Sequence, residues 1–97
     1  MANWSVYIIL CSDGTLYTGI SNNLERRMQQ HASNQGAKYF RGREPRELVY
    51  VENGHDRSSA SQREAEIKRL KRNEKELLLK SNQNQIHSLS IEKQISA

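Results

Sequence analysis

The hydrophobic pattern opens with a run from Trp4 to Cys11 in which β-branched and aromatic residues dominate, and a second such run follows Ser12-Asp13-Gly14, from Leu16 to Ile20. Two short runs of this composition around a glycine-containing break predict a β-hairpin. Loop length sets its register, because side chains alternate between the two faces of a strand. A two-residue Asp13-Gly14 turn would place Tyr17 across from Leu10, on the face opposite Tyr7. A three-residue loop with Gly14 left-handed as a bulge instead pairs Ile9 with Tyr17 and turns Tyr7 and Tyr17 to one face. The second register is the predicted one.

After Gly19 the period changes. Leu24, Met28 and Ala32 recur every four residues, with Asn22 as N-cap and Glu25 three residues later, which predicts a helix. Gly36 ends this helix or lies just beyond it, and Lys38 to Pro45 is a basic, turn-rich stretch before a third strand, Arg46 to Glu52. The sole proline stands at that strand's entrance, where a missing N–H does little harm. Asn53-Gly54-His55-Asp56 reads as a turn, and Ser58 or Ser59 then caps a helix whose apolar stripe is Ala60, Ile67 and Leu70. Asn73 with Glu76 predicts the cap of one more helix, ending in Leu77-Leu78-Leu79. From Ser81 onward Ser, Asn and Gln dominate and the isoleucines are isolated, so a domain of residues 1–80 followed by a mobile tail, 81–97, is expected. No internal repeat is visible.

Composition narrows the picture. At 97 residues, 35% hydrophobic and 27% charged, the chain suits one small domain with a thin core. Fifteen Lys and Arg against eleven acids give +4 and a pI near 9.5. Such a field favours polyanions, with nucleic acid the leading partner class, although a modest positive charge also serves solubility alone. The lone Cys11 excludes an internal disulfide framework and a Cys-rich zinc site and points to a reducing, cytoplasmic compartment. The longest apolar run, Val6 to Cys11, falls far below the roughly 20 residues that span a bilayer, and no membrane association or secretion is expected.

Ser5-Val6-Tyr7, Leu16-Tyr17-Thr18-Gly19 and Leu24-Glu25-Arg26-Arg27 together resemble the GIY-YIG nuclease domain, with valine and threonine replacing two of the motif's apolar letters. Two tyrosines ten positions apart, an arginine ten later and a helical glutamate after the third strand form a specific constellation. Gly36-Ala37-Lys38-Tyr39, with Arg41, Arg43 and Pro45, is similar to the small stand-alone bacterial branch of that superfamily. The resemblance runs from about Trp4 to Lys80. It implies an α/β chain of the α+β type, a small three-stranded antiparallel sheet flanked by helices. It further implies an endonuclease that hydrolyses phosphodiester bonds with one divalent ion, Mg²⁺ or Mn²⁺. Relatives often carry a further asparagine late in the domain; Asn73 is the nearest candidate and is not assigned to the site.

For Tyr17 the family implies a general base acting on the attacking water. A free phenol titrates near pH 10, so such a base needs a cation beside it to work near neutrality. Tyr7 is the partner that orients the water, or a packing residue of the sheet. Arg27, three residues after Leu24, borders the apolar stripe and aims a guanidinium at the sheet, where its fork of donors suits a phosphate. His31 lies on the same flank and can bond the base, the phosphate or a backbone carbonyl. Glu64 falls on the stripe of Ala60 and Ile67, whereas Glu66 projects elsewhere. A carboxylate in that place suits a hard divalent cation that keeps several waters, or else an ion pair with Arg63 or Lys68.

Lys38, Arg41 and Arg43 around Tyr39 and Phe40 combine phosphate-seeking charge with rings for exposed bases, although the two rings equally suit core plugs. Lys68, Arg69, Lys71 and Arg72 extend that basic track or are simply solvated. No base-reading motif or separate recognition domain is present, so target choice falls to a protein partner, to nucleic-acid shape or to little selectivity. The leading expectation is a metal-dependent endonuclease on DNA rather than RNA, favouring single-stranded or branched regions. The competing expectations are a non-catalytic nucleic-acid-binding module, such as a subunit of a DNA repair assembly, and a purely structural protein.

Overall fold

A computed structural model describes residues 3–33, 44–89 and 93–95. The order is β1 (Trp4–Cys11), β2 (Leu16–Ser21), α1 (Leu24–Ala32), β3 (Pro45–His55), α2 (Arg57–Lys68) and α3 (Arg72–Leu79), then a 3₁₀ turn at Ile86–Ser88. The strands form one antiparallel sheet in the order β2-β1-β3, as expected of an α+β domain. Being central, β1 is covered on both faces, which is why its sequence is a near-continuous apolar run without polar alternation. Val6 and Ile8 join Tyr50, Ala60, Ile67 and Leu78 in one core. Tyr7, Ile9 and Cys11 join Met28, Leu48, Val51, Ile86 and Ile95 in the other.

The hairpin has the predicted register, with Ile9 opposite Tyr17, Gly14 at φ 85° and the Gly14 N–H donating to the Cys11 carbonyl at 2.9 Å. Several local boundaries differ from expectation. Asn23, not Asn22, caps α1, its side chain accepting from the Arg26 N–H at 3.2 Å. The expected turn at 53–56 is instead the end of a longer β3, where Gly54 at φ 85° absorbs a shift in register against β1. Asp56 rather than Ser58 or Ser59 then caps α2, its carboxylate accepting from the Ser59 N–H at 2.8 Å while the Ser59 hydroxyl bonds back to the Asp56 N–H at 3.1 Å. Asn73 lies inside α3, whose first turn is closed by Glu74 accepting from the Lys71 N–H at 2.8 Å.

The largest departure concerns the expected tail. Its described residues pack along the free edge of β3: Ile86 and Ile95 are buried, the Leu48 N–H donates to the Lys93 carbonyl at 2.8 Å, and Gln94 bridges to Glu47. Asn84 acts as a surrogate strand, its amide accepting from the Val51 N–H at 3.2 Å and donating to the Val49 and Leu79 carbonyls at 2.9 Å. An open strand edge leaves backbone groups unpaired, and this segment pairs them.

Candidate functional site

The site lies over β2 and the face of β1 that carries Tyr7. Residues seven and seventeen share this face because of the three-residue loop, and their rings are tilted with centroids 6.3 Å apart. The close fit depends on Gly19, directly across from Tyr7. A Cβ there would stand 2.6 Å from the Tyr7 hydroxyl oxygen and 3.2 Å from Tyr17 Cε2. Gly19 is therefore needed for space, as the floor on which the Tyr7 ring lies.

Helix α1 supplies two further groups at the spacing of one turn. Arg27 Nε donates to the Tyr7 hydroxyl at 3.4 Å, and Arg27 Nη1 donates to Gln30 Oε1 at 3.1 Å. Burial works against the guanidinium charge, but hydrogen bonds to the hydroxyls of Tyr7 and then Tyr17 outweigh it and strengthen the cation. His31 Nε2 lies 3.1 Å from the Tyr7 hydroxyl, and the imidazole is within 6.0 Å of both tyrosine rings. Burial and then the charge of Arg27 push His31 down to about 4, so the imidazole is neutral at neutral pH. Burial pushes Tyr7 up to about 12 against the opposing bond from Arg27, so it remains a neutral phenol.

Glu64 approaches from α2. Its charge adds to the rise of the Tyr7 phenol, as the smallest of the causes and well behind burial. Its carboxylate also meets Lys68 Nζ at 3.3 Å. Glu66 is exposed and pairs with Arg63 at 3.2 Å. Among the described residues no group of three or more His, Cys, Asp or Glu could hold a metal alone. A single half-buried carboxylate nevertheless suits magnesium or manganese, which takes few protein oxygens and completes its shell with water and substrate phosphate.

The structure thus brings together Tyr7, Tyr17, Arg27 and His31, whereas Glu64 makes its ion pair with Lys68 on its own helix. Lys38, Tyr39, Arg41 and Arg43 lie outside the described residues. The second basic group is partly engaged within the fold: Lys68 pairs with Glu64, and Arg72 pairs with Glu76 at 3.0 Å and donates to the Gly14 carbonyl at 2.5 Å. Two contributors were not singled out from sequence. Gln30 holds Arg27, and its position three residues on along the helix was the available signal. Glu52 and Arg63 form a clamp, with Arg63 Nε donating to the carboxylate at 3.1 and 3.2 Å. Tyr50 and His55 complete it at 2.5 and 2.7 Å. The Arg63 bonds cross between β3 and α2, a pairing that no local spacing announces.

A hairpin that sets two tyrosines on one face, beside an arginine and a histidine from the next helix, has counterparts among known proteins. The chain belongs to the GIY-YIG catalytic domain family, whose model matches residues 3–77. It is 51% identical over 78 residues to a UPF0213 protein of Natronomonas pharaonis, covering 80% of this chain and 92% of that one. A UPF0213 protein of Oceanobacillus iheyensis is 53% identical over 70 residues, covering 72% and 81%. Solved relatives include the solution NMR structure of a UPF0213 protein from Bacillus halodurans, with 38% identity, 92% and 98% coverage and a TM-score of 0.54. The solution NMR structure of a protein from E. faecalis matches with 36% identity, 95% and 97% coverage and a TM-score of 0.56. Among the described residues no helix is long and apolar enough to cross a membrane.

Proposed function

We propose that the chain is an endonuclease that hydrolyses a phosphodiester bond in DNA, in single-stranded or branched regions, with one Mg²⁺ or Mn²⁺. The observation that carries this is the Arg27 guanidinium, whose Nε meets the Tyr7 hydroxyl at 3.4 Å on the face that Tyr7 and Tyr17 share. Arg27 holds the scissile phosphate, its planar fork opposing the negative charge that builds up at phosphorus. Tyr17 takes the proton of the attacking water. Tyr7, fixed by His31 and Arg27 and kept neutral by burial, orients that water or its proton through its hydroxyl. Glu64 holds the metal ion, which when bound supplies charge for the phosphate oxygens and the leaving oxygen.

The test is incubation of purified protein with labelled single-stranded, branched and duplex DNA in Mg²⁺, Mn²⁺ or EDTA. Nicking that EDTA stops is expected. Tyr17→Phe, Arg27→Ala and Glu64→Ala should each slow it by roughly a hundredfold or more. Glu66→Ala should stay within about twofold, as exposed substitutions usually do. Full activity in Glu64→Ala would remove the metal assignment. One observation favours a second reading, a binding module without turnover: Glu64 already has a cationic partner in Lys68. That reading expects salt-sensitive DNA binding with no product from any substrate at excess Mn²⁺.

A further inference from the structure

Beside Arg27 the surface opens into a cleft of about 260 Å³ between the start of β1, the end of β2 and the first turns of α1. Trp4, Asn22, Arg26, Arg27 and Gln30 are among its lining residues. The lining holds two guanidinium groups and no carboxylate, so the charge favours an anion. It also holds an indole, whose ring already has the Arg57 guanidinium over it at 5.7 Å from the centroid, an electron-rich surface that accepts flat, polar partners. The amide groups of Asn22 and Gln30 are of the kind that read the donors and acceptors of a base edge. At this volume the cleft lies below the roughly 300–1,000 Å³ of pockets that enclose a drug-sized ligand. Open on one side to solvent, it is of a size for one base ring with its phosphate.

We infer that this cleft seats a single unpaired nucleotide of the substrate strand, next to the phosphate that Arg27 holds. Arg26 takes the neighbouring phosphate, Trp4 contacts the base, and Asn22 meets its polar edge. The inference rests on the nuclease reading for the role of Arg27 and narrows the substrate to strands that present an unstacked base at the cut. A paired base cannot enter, since it remains tied to its complement and its stacked neighbours.

Trp4 is the only tryptophan in the chain, so its emission reports directly on the cleft. The experiment titrates the full chain, in EDTA so that no turnover occurs, with a nucleoside 5′-monophosphate, the nucleoside, inorganic phosphate, a short single-stranded oligonucleotide and the same sequence as a blunt duplex. Free tryptophan serves as the absorbance control. Saturable change with the monophosphate and the single strand is expected, with the nucleoside and phosphate each at least about tenfold weaker and Arg26→Ala weakening both by about tenfold. A flat titration, an equal response to duplex, or an unaltered response in Arg26→Ala overturns the seat. A monophosphate response that the single strand does not displace overturns its assignment to the substrate strand. The two proposals fail separately: metal-dependent cleavage with a flat titration removes the seat alone, whereas saturable binding without cleavage by any substrate removes hydrolysis alone.

Discussion

At Gly19 a single hydrogen in place of a methyl decides whether the two tyrosines can meet. Gly19→Ala puts a Cβ 2.6 Å from the Tyr7 hydroxyl, and because that ring is packed in the core the chain should lose on the order of 1–3 kcal/mol. Denaturant midpoints check this, and the loss should be strongly non-additive with Tyr7→Ala, which removes the clashing ring. His31 predicts a pH dependence with a definite sign. Unfolded, it takes up a proton near its ordinary value of 6.5; folded, it is held down to about 4. The unfolded chain therefore binds more protons between about pH 6.5 and 4, and stability is full above this window and falls as pH drops through it, by at most about 3 kcal/mol. A His31→Gln variant should lack that part of the acid slope in urea titrations. On the proposed role of Glu64, Lys68 is a rival to the metal across one helical turn, in a partly exposed i,i+4 pair worth about 0.3–0.5 kcal/mol. Lys68→Ala should accordingly lower the Mg²⁺ concentration for half-maximal nicking by about twofold while hardly changing stability.

At the scale of elements, the proposed role of Glu64 requires α2 to be fixed in rotation. Arg63 and Glu64 leave the helix on opposite flanks of the Ala60–Ile67 stripe. Arg63 reaches β3 at Glu52, and Glu64 meets Lys68 on the other flank. The clamp is strongly polarised. Burial opposes the Glu52 charge, but the bonds from Tyr50, His55 and Arg63 together keep its carboxyl below the usual range. Burial and then the same carboxylate hold Tyr50 well above the usual phenol range. Arg63→Ala leaves a half-buried carboxylate short of its cation and should cost on the order of 1–3 kcal/mol by denaturant unfolding. It should also raise the Mg²⁺ requirement for nicking, the reverse of the Lys68 effect, because Glu64 loses its bearing. The opposite signs separate positioning from a general loss of positive charge.

For the whole molecule, the sheet divides the interior into two cores, and the paired tyrosines lie on the α1 side. The C-terminal segment belongs to this architecture. It lies beyond the family match, yet Ile86 and Ile95 complete the core that holds Tyr7 and Met28. Asn84 satisfies one N–H and two carbonyls of β3 and α3. Ile86→Ala should cost about 2–5 kcal/mol, and Asn84→Ala, which abandons four backbone groups including the Ile86 N–H, about 2–3 kcal/mol; both are read from denaturant midpoints. Such losses are a large fraction of the stability of so small a domain.

Sequence by itself determined the hairpin and its register, since a three-residue loop and period-two alternation leave Tyr7 and Tyr17 one common face. It determined the flank of α1 that carries Arg27 and His31 and the contrast between Glu64 and Glu66, because helical spacing is local geometry. It misplaced the caps by one to three residues, since Asn22 and Asn23, or Asp56 and the serines after it, compete for one position and only the exit angle of the preceding strand selects the winner. Tertiary structure alone decided the rest. That Glu52 clamps Arg63, that Gly19 is a floor for a ring, and that polar residues after Ser81 close the edge of β3 all depend on contacts between distant stretches. Local pattern carries periodicity within an element but not the distance between two elements, and packing sets that distance.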